Sequence, residues 1–276
     1  MRAAWIFHAS LCLALPPALA AQPASPKPLP HPDSLIAISG RGMELASYMF
    51  AARRASDTIR ALHPAPDEVN MYFVRREGAE WWVMFGHMTA GRDTFLLSYE
   101  ARQLRVNSDS FYIQSFRPAR PQTAWHLGVA RAIDNARRSF TTSAHPRRPY
   151  NVAVLPSDQQ EWLVYVFPAQ TRPDVWPLGG DARYRVSADG NTILDTRRLH
   201  NTILEFGRPV LQNGSELKVG VHSAVFDDVP EDTDVLWVMT REPSVPEMVV
   251  TDAFVYELYP NAAIRLVGRR EEVLKR

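Results

Sequence analysis

The sequence predicts an α+β protein: two tandem repeats, each a helix followed by a four-stranded antiparallel sheet (α-β-β-β-β), and then a C-terminal all-β extension. Three observations predict it. Two helix-like stretches, 43–62 and 124–140, begin about 80 residues apart, a spacing that marks a duplicated unit. Each is followed by the same succession of apolar strand patterns and polar turns. Asp189-Gly190 sits between two strand patterns, a strong short-range hairpin signal. The boundaries that follow are a signal peptide over 1–20, a proline-rich linker over 21–36, repeats over 37–120 and 121–205, and the extension over 206–276, packed on the second repeat.

The signal peptide rests on Arg2, the only charge in the first 26 residues, the apolar runs Trp5-Ile6-Phe7 and Leu11–Leu15, and a small-x-small site at Ala18-Leu19-Ala20. A membrane span would need roughly 20 apolar residues, and His8, Ser10, Pro16 and Pro17 interrupt this one. Leu11 before Cys12 is not a lipobox. The expected mature chain is therefore periplasmic or secreted, without a transmembrane span. Cys12 is the single cysteine, so the mature chain is expected to hold no disulfide and no thiolate chemistry. Residues 22–33 contain five prolines and read as an extended tether.

In the first helix, Met43, Ala46, Phe50, Ala55, Ile59 and Leu62 recur at helical spacing, and Pro64 stops the run. In the second, Trp125, Val129, Ala132, Ile133, Ala136 and Phe140 form one stripe, Asp134 and Arg138 pair on the other face, and Thr123 is placed to cap the start. The first helix leads to strands 71–74, 80–85, 94–99 and about 104–111. The second leads to strands 150–155, 161–167, 182–187 and about 192–199, with an insertion at Arg172–Asp181. The second strand of each repeat is apolar on both parities and so is expected to be central. Further strands are expected at 202–206, 216–226, 234–240 and 248–259, followed by a solvated charge run at 269–272.

The helix-plus-meander pattern, with Tyr184–Val186 and Ser187-Ala188-Asp189-Gly190-Asn191-Thr192-Ile193-Leu194, resembles the small α+β modules of PepSY or cystatin-like proteins of bacterial envelopes. The resemblance covers residues 40–205, and the Arg172–Asp181 insertion departs from it. It implies a binding or inhibitory module with no chemistry of its own, and it carries no functional residue over.

Acidic and basic residues nearly balance, 30 against 31, which removes electrostatic support for nucleic-acid binding. No Gly-x-Ser-x-Gly elbow is present. Gly40-Arg41-Gly42 lacks the rest of a dinucleotide fingerprint and reads as a flexible way into the first helix. Two candidate sites remain. Trp176, between Pro173 and Pro177, reads as an exposed aromatic on a fixed loop suited to a partner, and Gly179-Gly180-Asp181 beside it as a hairpin turn or a backbone anion nest. The second candidate is a polar cluster, His222-Ser223, Asp227-Asp228, Glu231-Asp232 and Asp234, in which His222, Asp227, Asp228 and Asp232 are the candidate metal ligands, and to which His200 could add a second imidazole if the fold joins them. Val221-His222-Ser223 resembles a fragment of the JAMM metalloprotease pattern but lacks its second histidine. The sequence thus favours a non-catalytic binding module for an envelope or extracellular protein or peptide, with no cofactor expected. The alternative is a metal-dependent hydrolase holding a divalent metal at the His222 cluster.

Overall fold

The computed structural model describes residues 27–106, 108–143, 145–157, 159–208 and 217–275. The expected signal peptide, Cys12 and the first prolines of the tether lie outside the described residues.

The first helix, α1 (Pro32–Arg60), starts well before the expected position, inside the tether. Pro32 occupies its first turn, where no backbone N–H is missed, and the His31 side chain accepts a hydrogen bond from the Asp33 N–H. The proline that reads as tether is therefore a helix start. Met43 and Phe50, expected on the buried stripe, are about half exposed. The helix is covered on more than one side, so no single stripe describes it. Tyr48, Ala52, Ala55 and Ile59 join the main core, whereas Ile38 joins a second core nearer the C-terminus.

Four strands follow as a meander in the order β1 (Met71–Glu77), β2 (Glu80–Met88), β3 (Phe95–Gln103) and β4 (Phe111–Gln122). The fourth strand begins where it was expected to end, because the chain turns back before it, with the Leu104 N–H bonded to the Ser110 carbonyl and the Ser108 N–H to the Arg105 carbonyl. It also runs two residues past the expected boundary at 120. Next comes α2 (Trp125–Thr142), whose stripe of Val129, Ala132, Ile133, Ala136 and Phe140 is buried as expected. Arg138 pairs with Asp134 at 2.9 Å. Thr123 does not cap it; the N-cap position is Ala124, with no side-chain bond.

A second antiparallel sheet has the order β5 (Tyr150–Pro156), β6 (Trp162–Pro168), β8 (Ala182–Val186) and β9 (Ile193–Arg198). The insertion supplies β7 (Val175–Gly179), which leaves this sheet and pairs antiparallel with β10 (Ile203–Gly207) as a separate two-stranded arm. Both sheets, α1 and α2 share one hydrophobic core in which Phe73, Phe95, Tyr165, Tyr184 and Phe140 are fully enclosed.

The C-terminal part is not all-β. Residues expected as a strand from 234 form α3 (Asp232–Thr240). An apolar run such as Val235-Leu236-Trp237-Val238 fits a buried strand or a buried helix equally well by periodicity. A capping box decides: Glu231 accepts from the N–H of Asp234, and Asp234 accepts from the N–H of Glu231. The remaining strands, β11 (Gly220–Ser223), β12 (Glu247–Val250), β13 (Phe254–Leu258) and β14 (Ile264–Arg269), form their own sheet in that order, with β11 parallel to β12. The expected strand 248–259 is two strands, β12 and β13, joined by a tight turn. A one-turn helix, α4 (Arg270–Val273), ends the chain.

Nor does this part pack on the second repeat alone. Helix α3 packs against α1 and the β7 arm, and β14 touches α1. Gly42 marks the crossing: a Cβ there would lie 2.4 Å from the Val235 Cβ. Gly40-Arg41-Gly42 is thus helical, and Gly42 serves close helix packing rather than a loop. No helix among the described residues is long and apolar enough to cross a membrane.

Candidate functional site

The N-terminus of α3 lies where the second sheet, the arm, α1 and the last sheet meet, and it carries the densest set of buried charges. Asp181 follows the turn between β7 and β8. Gly179 and Gly180 make that turn with φ of 86° and 62°, in the left-handed region that favours glycine. A Cβ on Gly180 would come within 2.3 Å of Ile203. The turn therefore carries the chain from β7 of the arm to β8 of the second sheet, two strands that do not pair with each other, and the Asp181 side chain is used inward.

From Asp181 a continuous chain of contacts crosses the site. His200 Nδ1 lies 2.8 Å from Asp181 Oδ1, and His200 Nε2 lies 2.9 Å from Asp234 Oδ1. The same Asp234 oxygen lies 3.0 Å from His222 Nε2, and His222 Nδ1 lies 2.9 Å from Glu247 Oε1. Glu247 Oε2 stands 2.8 Å from Arg241, whose guanidinium stacks 4.1 Å above the Trp237 ring. Thr233 donates to Asp181 Oδ2 at 2.6 Å, and the Glu231 N–H donates to Asp234 Oδ2 at 2.8 Å. The side chains of His222 and Asp234 are at most 1% exposed.

A carboxylate oxygen accepts and does not donate, so each of the four ring nitrogens must carry hydrogen to make these bonds. Both rings are then imidazolium. Two imidazolium charges and Arg241 balance Asp181, Asp234 and Glu247, which satisfies the rule that buried charge is paired. Burial alone would lower both histidine pKa values, but the flanking carboxylates more than offset it. His200 is raised well above its ordinary value and His222 to about 9. For Asp234, burial would raise the pKa, and the two rings overturn that and lower it.

A second ionic group sits beside the first. Asp232 takes Arg41 Nε at 3.0 Å on both oxygens, Arg183 at 2.7 Å and the Tyr165 hydroxyl at 2.6 Å. It ties α3 to α1, β8 and β6. Glu231 meets Arg197 at 2.5 Å. Burial, larger than the effect of Arg197, raises the Glu231 pKa to about 8.

Of the residues singled out in sequence, the fold brings His200 and His222 together, with ring centres 6.2 Å apart. It does not bring Asp227 or Asp228 to them: Asp227 pairs with Arg197 and Asp228 with Lys27 at the surface. Asp232 is buried but faces the arginines. Trp176 is 8% exposed and belongs to the second core with Trp237 and Leu178, because β7 pairs with β10 and turns the ring inward. Asp234 belongs to the acidic run that the sequence places beside His222, and the capping-box spacing Glu231-x-x-Asp234 fixes its position at the helix start. One member of the site went unread. Glu247 leaves no local signal, since only strand pairing of β11 with β12 sets it beside His222.

A cleft of about 520 Å³ opens next to this cluster, between α1 and the arm. Phe50, Trp176, Leu178 and Trp237 contribute its apolar wall, and Arg53, Arg60 and Arg172 its cationic groups, of which Arg60 pairs with Asp57 in the same lining and Arg172 with Glu205. Asp181 and Thr233 also line it.

No family model and no curated protein matches the chain. Among solved structures, the C-terminal domain of Bacillus megaterium YpeB is similar over 55% of this chain and 64% of that one, at 13% identity and a TM-score of 0.19. The α+β assignment stands on the helices and antiparallel sheets themselves.

Proposed function

We propose that the protein is a non-catalytic binding module of the cell envelope, exported by way of residues 1–20, and that it takes a segment of a protein or peptide partner into the cleft between α1 and the β7–β10 arm. The observation that carries this reading is the composition of the cleft. Its volume is that of a ligand site, its wall is aromatic and aliphatic, and arginines add cationic groups. Phe50 is about half exposed in this lining, as Met43 is earlier on the same helix. An aromatic left open beside charged groups suits an apolar anchor with an acidic neighbour on the partner. On this reading the two helix-plus-meander units arose by duplication, in the manner of PepSY or cystatin-like modules, and neither performs chemistry.

Hydrolysis finds less support. A catalytic group must reach its substrate, and the imidazoles and Asp234 are enclosed with every nitrogen engaged. The test is a photo-crosslinking amino acid placed at position 50, with the exposed position 274 as control, in cells that export the chain. A discrete adduct from position 50 alone is expected. Identical products from both positions, or none from position 50, would refute the cleft as the binding surface.

A further inference from the structure

We infer that His200, His222 and Asp234 form a binding site for one divalent transition-metal ion of the zinc class, which clasps α3 and β11 to the segment between β9 and β10. The inference is independent of the binding-module reading. Both Nε2 atoms converge on the same Asp234 oxygen, and the three donor atoms lie within 4.8 Å of one another. Tetrahedral bonds of about 2.0–2.2 Å hold the donors roughly 3.3 Å apart, so the Asp234 oxygen has to part from each Nε2 by a few tenths of an ångström while the two rings adjust to one another.

The outward faces of the rings match what metal-bound histidines need. Each Nδ1 meets a buried carboxylate, Asp181 for His200 and Glu247 for His222. Such partners fix the ring so that Nε2 points inward, and they raise its basicity as a ligand. The second oxygen of Asp234 is held by the Glu231 N–H, so one oxygen is left for an ion.

Charge gives a further argument. Along the chain from Asp181 to Arg241 there are three carboxylates and one guanidinium. Two positive charges complete the balance, and either two imidazolium protons or one divalent cation supply them. Binding is then an exchange. Each Nε2–H bond breaks, each Nε2 lone pair and one Asp234 oxygen bond to the ion, and two protons leave to solvent. No electron is transferred. Asp181 and Thr233 line the cleft, so the site lies one side chain beneath its floor.

The test uses the mature chain without an affinity tag, stripped with chelator and titrated with Co²⁺ and then Zn²⁺. One equivalent is expected to produce the visible absorption of low-coordinate Co²⁺, which Zn²⁺ then abolishes. Zinc at a hundredfold excess over its Kd should raise Tm by roughly 5–10 °C. Asp227→Asn combined with Asp228→Asn should leave both signals unchanged, because these groups are at the surface. His222→Gln and Asp234→Asn should lose them while circular dichroism reports on folding; if these buried variants do not fold, the wild-type titration and the surface variant decide. Absence of both signals in the wild type would overturn the inference. So would signals lost in the surface variant, which would mean an adventitious ion only.

Discussion

Replacing Asp232 by asparagine keeps the side-chain volume and removes one charge, so it isolates the ionic tie at the start of α3. The wild-type carboxylate is 1% exposed and holds Arg41, Arg183 and Tyr165 together. Removing one partner of a buried ion pair costs about 3–5 kcal/mol, because the other charge stays buried without compensation. Here the two guanidiniums are 33% and 19% exposed, and water can reach Arg41 in part. The expected loss is therefore at the lower end, about 3 kcal/mol. For a chain of this length that lowers Tm by roughly 6–12 °C. In urea it lowers the midpoint by about 1 M at an unchanged slope of roughly 3 kcal/mol/M. Arg41→Met should cost less than Asp232→Asn, since the more solvated partner is lost and Arg183 remains. An Asp232→Asn loss below about 1 kcal/mol would place this pair in the range of solvated surface pairs and refute the argument that it clasps α3 to the rest of the molecule.

Two further outcomes follow from the same packing. In chelator-treated protein, stability should fall as pH rises from about 6.5 to 9. His222, raised from 6.5 to about 9, and Glu231, raised from 4.5 to about 8, both favour the protonated fold, so their contributions are full below the unfolded values and lost through the folded ones; a Tm that is flat or rising across this window, by scanning calorimetry, would contradict it. Gly42→Ala should destabilise by about 1–3 kcal/mol through overpacking on Val235, whereas Gly40→Ala, with nothing within 4 Å of the new Cβ, should stabilise the helix by about 0.5–1 kcal/mol; equal effects in urea titrations would show that α1 and α3 do not cross at Gly42.

Much of the fold is legible along the chain. The stripe of α2, the apolar strands β2, β3, β6 and β8 and the turn at Asp189-Gly190 are local patterns whose period matches the element they form. The errors share a cause. Pro32 reads as tether and serves as a helix start, because proline suits both. Val235–Met239 reads as a strand and is a helix, because an apolar run enclosed on all sides has lost its period. Trp176 reads as exposed, because its prolines say nothing of the β10 strand that covers it.

The site divides in the same way. His200, His222, Asp181 and the acids around 227–234 are visible as chemistry-bearing residues, and their composition by itself determines that buried charge must be balanced within the chain if they are enclosed. Which of them meet is decided only by the tertiary structure. Asp227, five residues from His222, faces Arg197 at the surface, while Glu247, across a parallel strand pair, and His200, from the preceding sheet, close on the imidazole and the carboxylate. Sequence neighbours on a loop diverge once one of them starts a helix. Residues far apart converge wherever burial leaves a charge no partner but the one the packing brings.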